Sequence, residues 1–368
     1  MHIAHAESII PCVFFLSPTI QSYIIGFTYK KKVWNDQSII FNFTTIILID
    51  LWVENDTMNQ QETYIQQQVC RDACALNNTA VALMQRGDFE ASLRTLKDSI
   101  ALMEHINADS SSSNTTPVVA LKNHAAVSNQ GDKYMRLASS RLCQSMVGSP
   151  FHQQEPPPMN NACSHISVVE SNDTAALHAM ARTAASMACA NSFLTSAPTA
   201  IVIRELNSST GLFSWERETG ILLYNFALAA FFTAHYTTRR PQKKSKLVDV
   251  AYRSLLMAHS AFARLLEHHQ DQLSFSSSTM ASSKNNLHMT HDNTSPEDEI
   301  ACLEQVIVLH MMQMLTLAGI SQILLGQGQV QQAARAHGSI QALQESVQMH
   351  HNVMFQVFCD PRNTAPAA

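Results

Sequence analysis

Seventeen histidines and eight cysteines are the residues of this 368-residue chain best able to do chemistry. Close histidine groups include His268-His269, His288 with His291, and His350-His351. Adjacent residues on a helix face different directions, so neither adjacent pair presents two rings to one ion. His288 and His291 fall in a Ser/Asn-rich stretch with little to hold them, and none of these spacings matches a zinc motif. Cys70 and Cys74 are four apart and would share a helix face, which reads as two small buried thiols. A metal there would need two further ligands, and the nearby sequence supplies none. No CxxC occurs, and irregular cysteine spacing suits a reducing compartment. A Gly-rich phosphate loop, a GxSxG elbow and an HExxH pair are all absent. The expectation is a protein with no catalytic residues, no metal and no cofactor.

Charge points the same way. Only 14% of residues are charged, and the net charge of −5 leaves no footprint for nucleic acid. The longest cationic run is Arg239, Arg240, Lys243, Lys244 and Lys246. It is expected in a long exposed loop, either as a solvated surface or as a nuclear-import or acidic-partner patch.

The elements that must position these groups read as helices. Ten glycines are few for this length, while apolar residues make up 46%. Apolar positions recur with helical rather than strand periodicity, so the fold class is expected to be all-α. The exception is the short β-branched run Ala200–Glu205, read as a lone extended strand packed on a helical face. Residues 58–146 read as a first helix pair plus a further helix, and 147–199 as a low-complexity linker holding a helix within Thr174–Phe193. Residues 200–273 read as a second helix pair with the basic loop. A flexible linker, 274–298, leads to a third pair at 299–358 and a tail at 359–368.

Residues 1–57 differ from all of this. They hold eleven isoleucines against twelve in the other 311 residues, and no alanine occurs between Ala6 and Ala73. Three readings stay open: a membrane segment within 8–53, a secretory signal that lacks a basic start, or an upstream extension with the mature chain starting at Met58.

Within the first pair, Leu76, Thr79, Ala80 and Leu83 share one helix face. Gly87-Asp88 turns the chain, and Phe89, Leu93, Leu96 and Ile100 resume the stripe. Leu317, Ile320, Ser321 and Leu324, then Gly328, then Val330, Ala333, His337 and Ile340 repeat the scheme. Leu223, Phe226, Ala227 and Ala230 with Val248, Ala251, Leu255 and Ala258 repeat it across a longer loop. These residues resemble the tetratricopeptide repeat, over 34 residues each in the first and third pairs. The departures are Leu76 at the first large position, usually Trp, and Glu104 and Glu345 in place of the terminal proline.

The resemblance implies an α-solenoid of antiparallel helix pairs, separated here by long inserts, that acts as a protein–protein interaction scaffold or adaptor in the cytoplasm. It also implies a concave groove lined by the first helix of each pair. Carried onto this sequence, the lining includes Asn77, Val81, Met84, Tyr224, Leu228, Phe231, Phe232 and Gln322. Such a groove takes a protein or peptide partner, unless the chain's own elements cover it. A terminal-carboxylate clamp is not expected: Asn77, Asn78 and Asn225 supply amides, but Leu315 and Gly319 stand where basic residues belong. The alternative from another class is a membrane-anchored helical protein using residues 8–53.

Overall fold

The structure is a computed structural model that describes residues 60–110, 117–147, 166–188, 192–196, 198–204, 215–282 and 296–359. All of them belong to one compact unit, 48–368. The expected features at 1–57, including the apolar stretch 8–53, and His288 and His291 lie outside the described residues.

Helices α1 (Gln60–Gln85) and α2 (Phe89–Ser110) form the first hairpin. Gly87 adopts φ +79°, and the turn closes with Gly87 N donating to Met84 O (2.9 Å) and Asp88 N to Leu83 O (3.0 Å). This is a Schellman closure. Asp88 then caps α2, its Oδ1 accepting from Ala91 N at 3.2 Å. The last hairpin, α8 (Pro296–Gly326) and α9 (Val330–Cys359), uses the same geometry. Gly328 has φ +76°, Gly328 N donates to Leu325 O (3.0 Å), and Gln329 N donates to Leu324 O (2.8 Å). Nothing lies within 4 Å of a Cβ placed on either glycine, so the left-handed backbone and not crowding requires glycine there.

Helix α3 (Pro117–Val147) packs on α1 and α2. Its Arg141 reaches Asp98 of α2 at 2.7 Å. The central hairpin is α6 (Trp215–Phe232), prolonged by a π-helical turn over Thr233–Thr237, and α7 (Pro241–Ser282). Only residues 238–240 connect them, which corrects the expected long loop. The basic run begins a helix at Pro241, whose fixed φ and missing N–H suit a first helical position. Helix α2 lies against α6, and α7 against α8, so the three hairpins touch in chain order. The crossings are close. A Cβ at residue 319 would sit 2.8 Å from Leu255 Cδ1 on α7, and one at residue 220 would meet the buried Phe262 ring.

Helix α8 is apolar on all sides. Its stretch Ile300–Gly326 is long and apolar enough to cross a membrane, and its most apolar window is wholly buried inside the protein. Packing by α7, by α9 and by the short helices α4 (Thr174–Met187) and α5 (Phe193–Ser196) accounts for this, because a helix stretch covered on every side has no need of a polar face.

Helices dominate, in keeping with an all-α reading, but the strand at 199–202 is not alone. β1 (Ser167–Glu170) and β2 (Thr199–Val202) form a two-stranded parallel sheet, with Ser167 opposite Thr199 and Glu170 opposite Val202. Parallel strands need a crossover, here supplied by α4 (Thr174–Met187) and the single turn α5 (Phe193–Ser196). Asp173 caps α4 through Ala176 N at 2.9 Å. The expected low-complexity linker therefore contains a βαβ unit.

Candidate functional site

The unit 166–204 lies on the first helix of all three hairpins. β2 packs on α1 and α6, and α4 and α5 pack on α8. At α8, the Gln322 side-chain carbonyl accepts from Leu194 N. At α6, the Tyr224 hydroxyl donates to Thr199 O (3.1 Å). The Asn225 amide donates to Ile201 O (2.6 Å) and accepts from Ile201 N (3.0 Å). At α1, Asn77 donates to Ile201 O (3.1 Å), while Asn78 donates to Ile203 O (2.8 Å) and accepts from Ile203 N (2.9 Å). Asn225 also donates to Asn77 Oδ1 at 2.9 Å, joining the two helices.

The geometry follows from strand stereochemistry. The N–H and C=O of one residue point to the same side, and alternate residues point to opposite sides. Pro198 and Val202 therefore face β1, receiving Ser167 N (3.0 Å) and Ser171 N (2.9 Å). Residues 199, 201 and 203 face the helices. Asn225 and Asn78 each span both backbone groups of one residue, as a neighbouring strand would. The helical face thus completes the sheet with amides in place of a third strand.

Burial makes these contacts decisive. Asn77 and Asn225 are fully buried, as are Ala200 and Ile201. A net hydrogen bond stabilises by about 1 kcal/mol, but a buried amide or peptide group left unpaired costs about 1–3 kcal/mol. Asparagine side chains carry no charge and do not titrate, so the ladder holds a backbone without selecting a charged ligand. Burial pushes the Tyr224 phenol well above its ordinary range, so it stays protonated as the donor to Thr199.

The eight lining positions carried over from the resemblance are all buried. Asn77, Tyr224 and Gln322 meet the segment 194–201. Val81, Met84 and Leu228 belong to the hydrophobic core. Phe232 stacks on Phe89 of α2 with centroids 5.1 Å apart, and Phe231 lies 4.2 Å from the His235 ring. These two aromatics sit at the C-terminal end of α6, where they hold α2 and the π-helical turn.

The basic residues Arg239, Arg240, Lys243, Lys244 and Lys246 are exposed, and Lys243 Nζ lies 3.3 Å from Glu90. Cys70 and Cys74 are buried free thiols. The hydrogen bond that the Cys70 thiol donates to Cys74, together with burial, drives its pKa far above the usual range. His310 is buried, bonded through Nδ1 to Val306 O (2.8 Å) and through Nε2 to Ser346 (3.2 Å). Burial lowers its pKa to about 4. Burial also lowers that of His259, beside the Thr316 hydroxyl, to about 4. Among the described residues no three His, Cys, Asp or Glu side chains are grouped to hold a metal ion. A cavity of about 560 Å³ between α4, α8 and α9 is lined by both polar and apolar side chains, among them His178, Arg182, Met311 and Glu345.

No family model matches this chain, and no curated protein or solved structure matches it significantly.

Proposed function

We propose that this chain is a non-enzymatic protein–protein interaction scaffold of tetratricopeptide-like build, whose first helices form a face for extended polypeptide. The observation that carries this reading is the extended segment 199–203, held across α6 and α1 through its backbone by Tyr224, Asn225, Asn77 and Asn78, with Gln322 of α8 holding the turn α5 before it. A face able to satisfy the polar groups of one extended chain has the chemistry to satisfy those of another. The contact of the hairpins in chain order and the twin glycine closures support the repeat-like reading.

The partner on this reading is a protein or peptide, and the compartment cytoplasmic. The experiment is cross-linking of the full chain to its bound partners, with the linked positions mapped by peptide sequencing. Links concentrated on 60–85 and 215–232 are the expected result. Links confined to the outer face of α3 or α9 would contradict the reading.

A further inference from the structure

We propose that residues 198–204 are a replaceable occupant of this face, and that the partner is an extended, uncharged segment that takes their place. This rests on the scaffold reading and adds how the site is kept closed and what opens it.

The contacts themselves point this way. Six hydrogen bonds join the helices to residues 199, 201 and 203, and every one ends on a backbone atom. Nothing in them reads the side chains of this segment. What they require is an N–H at two positions, matching 201 and 203, which excludes proline there. Ala200, Ile201 and Ile203 are buried, so the site fits small and β-branched residues and would leave a charge unpaired. Leucines in place of Asn77 and Asn225 would leave the buried N–H and C=O of Ile201 unpaired, so a strand backbone lying on this face needs amides opposite it.

The ties on the other side of the segment are slight. β1 offers four residues, and two short strands are marginal by themselves. The Arg204–Glu170 pair (2.8 Å) is mostly exposed and contributes little. Residues 198–204 are thus held by the amide face together with the burial of Ala200, Ile201 and Ile203. A tethered segment competes at an effective concentration in the millimolar range, so it weakens an incoming segment by the fraction of time the face is open.

The test uses the full chain and a fluorescent peptide copying residues 192–204, with anisotropy as the readout. Ile203→Pro removes the N–H that Asn78 accepts and should expel the strand. Ile203→Ala loosens it while keeping the backbone donor. Peptide affinity should rise at least ~10-fold from wild type to Ile203→Pro, with Ile203→Ala between them, and Asn78→Ala in the Ile203→Pro background should remove the gain. If wild type and both variants bind equally, and Asn78→Ala still weakens binding, the face takes peptides but its strand does not gate it. The inference then fails while the scaffold reading stands. If none of the three binds while helical content holds, both fail. If either isoleucine variant loses its helical circular dichroism, the strand is a fixed part of the core and the inference is overturned.

Discussion

Asn225 makes three hydrogen bonds through one fully buried amide. Its amide serves Ile201 N, Ile201 O and Asn77 Oδ1. Truncation to alanine orphans the Ile201 N–H and loosens Asn77. Asn225→Ala is expected to lower the unfolding free energy by about 2–3 kcal/mol, read as the urea midpoint. Arg204→Ala, which removes only an exposed ion pair, should change it by less than ~1 kcal/mol. His310, which is buried, and His259, which is partly buried, make a separate prediction. His310 and His259 have folded pKa values near 4, below the ~6.5 of an unfolded histidine. The unfolded state therefore gains protons first, so stability is intact above about pH 6.5 and falls as pH drops toward 4. Going from pH 7 to pH 5 should remove roughly 1–2 kcal/mol per histidine, and His310→Asn should flatten the dependence. A midpoint unchanged between those pH values would contradict the lowered pKa values of both rings.

At the scale of elements, local chemistry was the legible part. Gly87-Asp88 and Gly328-Gln329 mark their turns because only glycine enters the left-handed region cheaply, and the apolar stripes on either side read as helices. Gly87→Ala should cost about 1–2 kcal/mol with no change in contacts, since the space beside it is open. The basic run reads as a loop because five cations in eight residues offer no apolar face. The structure starts α7 there regardless, drawn by the stripe that follows and by Pro241. Cations in a first turn oppose the helix dipole, so Lys244→Glu should stabilise by about 0.3–1 kcal/mol in thermal unfolding at low salt. β1 escapes a sequence reading for a different reason. Ser-Val-Val-Glu is too short to show a period, and its partner lies beyond an intervening helix, so only long-range pairing defines it. β2 was visible from its β-branched run, but its neighbour was not.

Across the whole molecule, the amides that hold β2 were visible as residues and illegible as a site. Asn77, Asn78 and Asn225 stand out on the sequence as amides without accompanying cations. What they bind depends on where a segment more than a hundred residues from Asn77 returns, and no periodicity encodes that. The same long-range packing explains α8. Its composition alone would suit a bilayer, but four other helices cover it. These features form one arrangement: hairpins in contact, an insert laid over their first helices, and a backbone-reading face beneath it. The most direct test is amide hydrogen exchange of the full chain, resolved at Ile201 and Ile203. The account predicts slow exchange at both in wild type, with Asn225→Ala and Asn78→Ala each speeding its own amide at least ~10-fold while α8 stays protected. Fast exchange at both positions in the wild-type chain would contradict it.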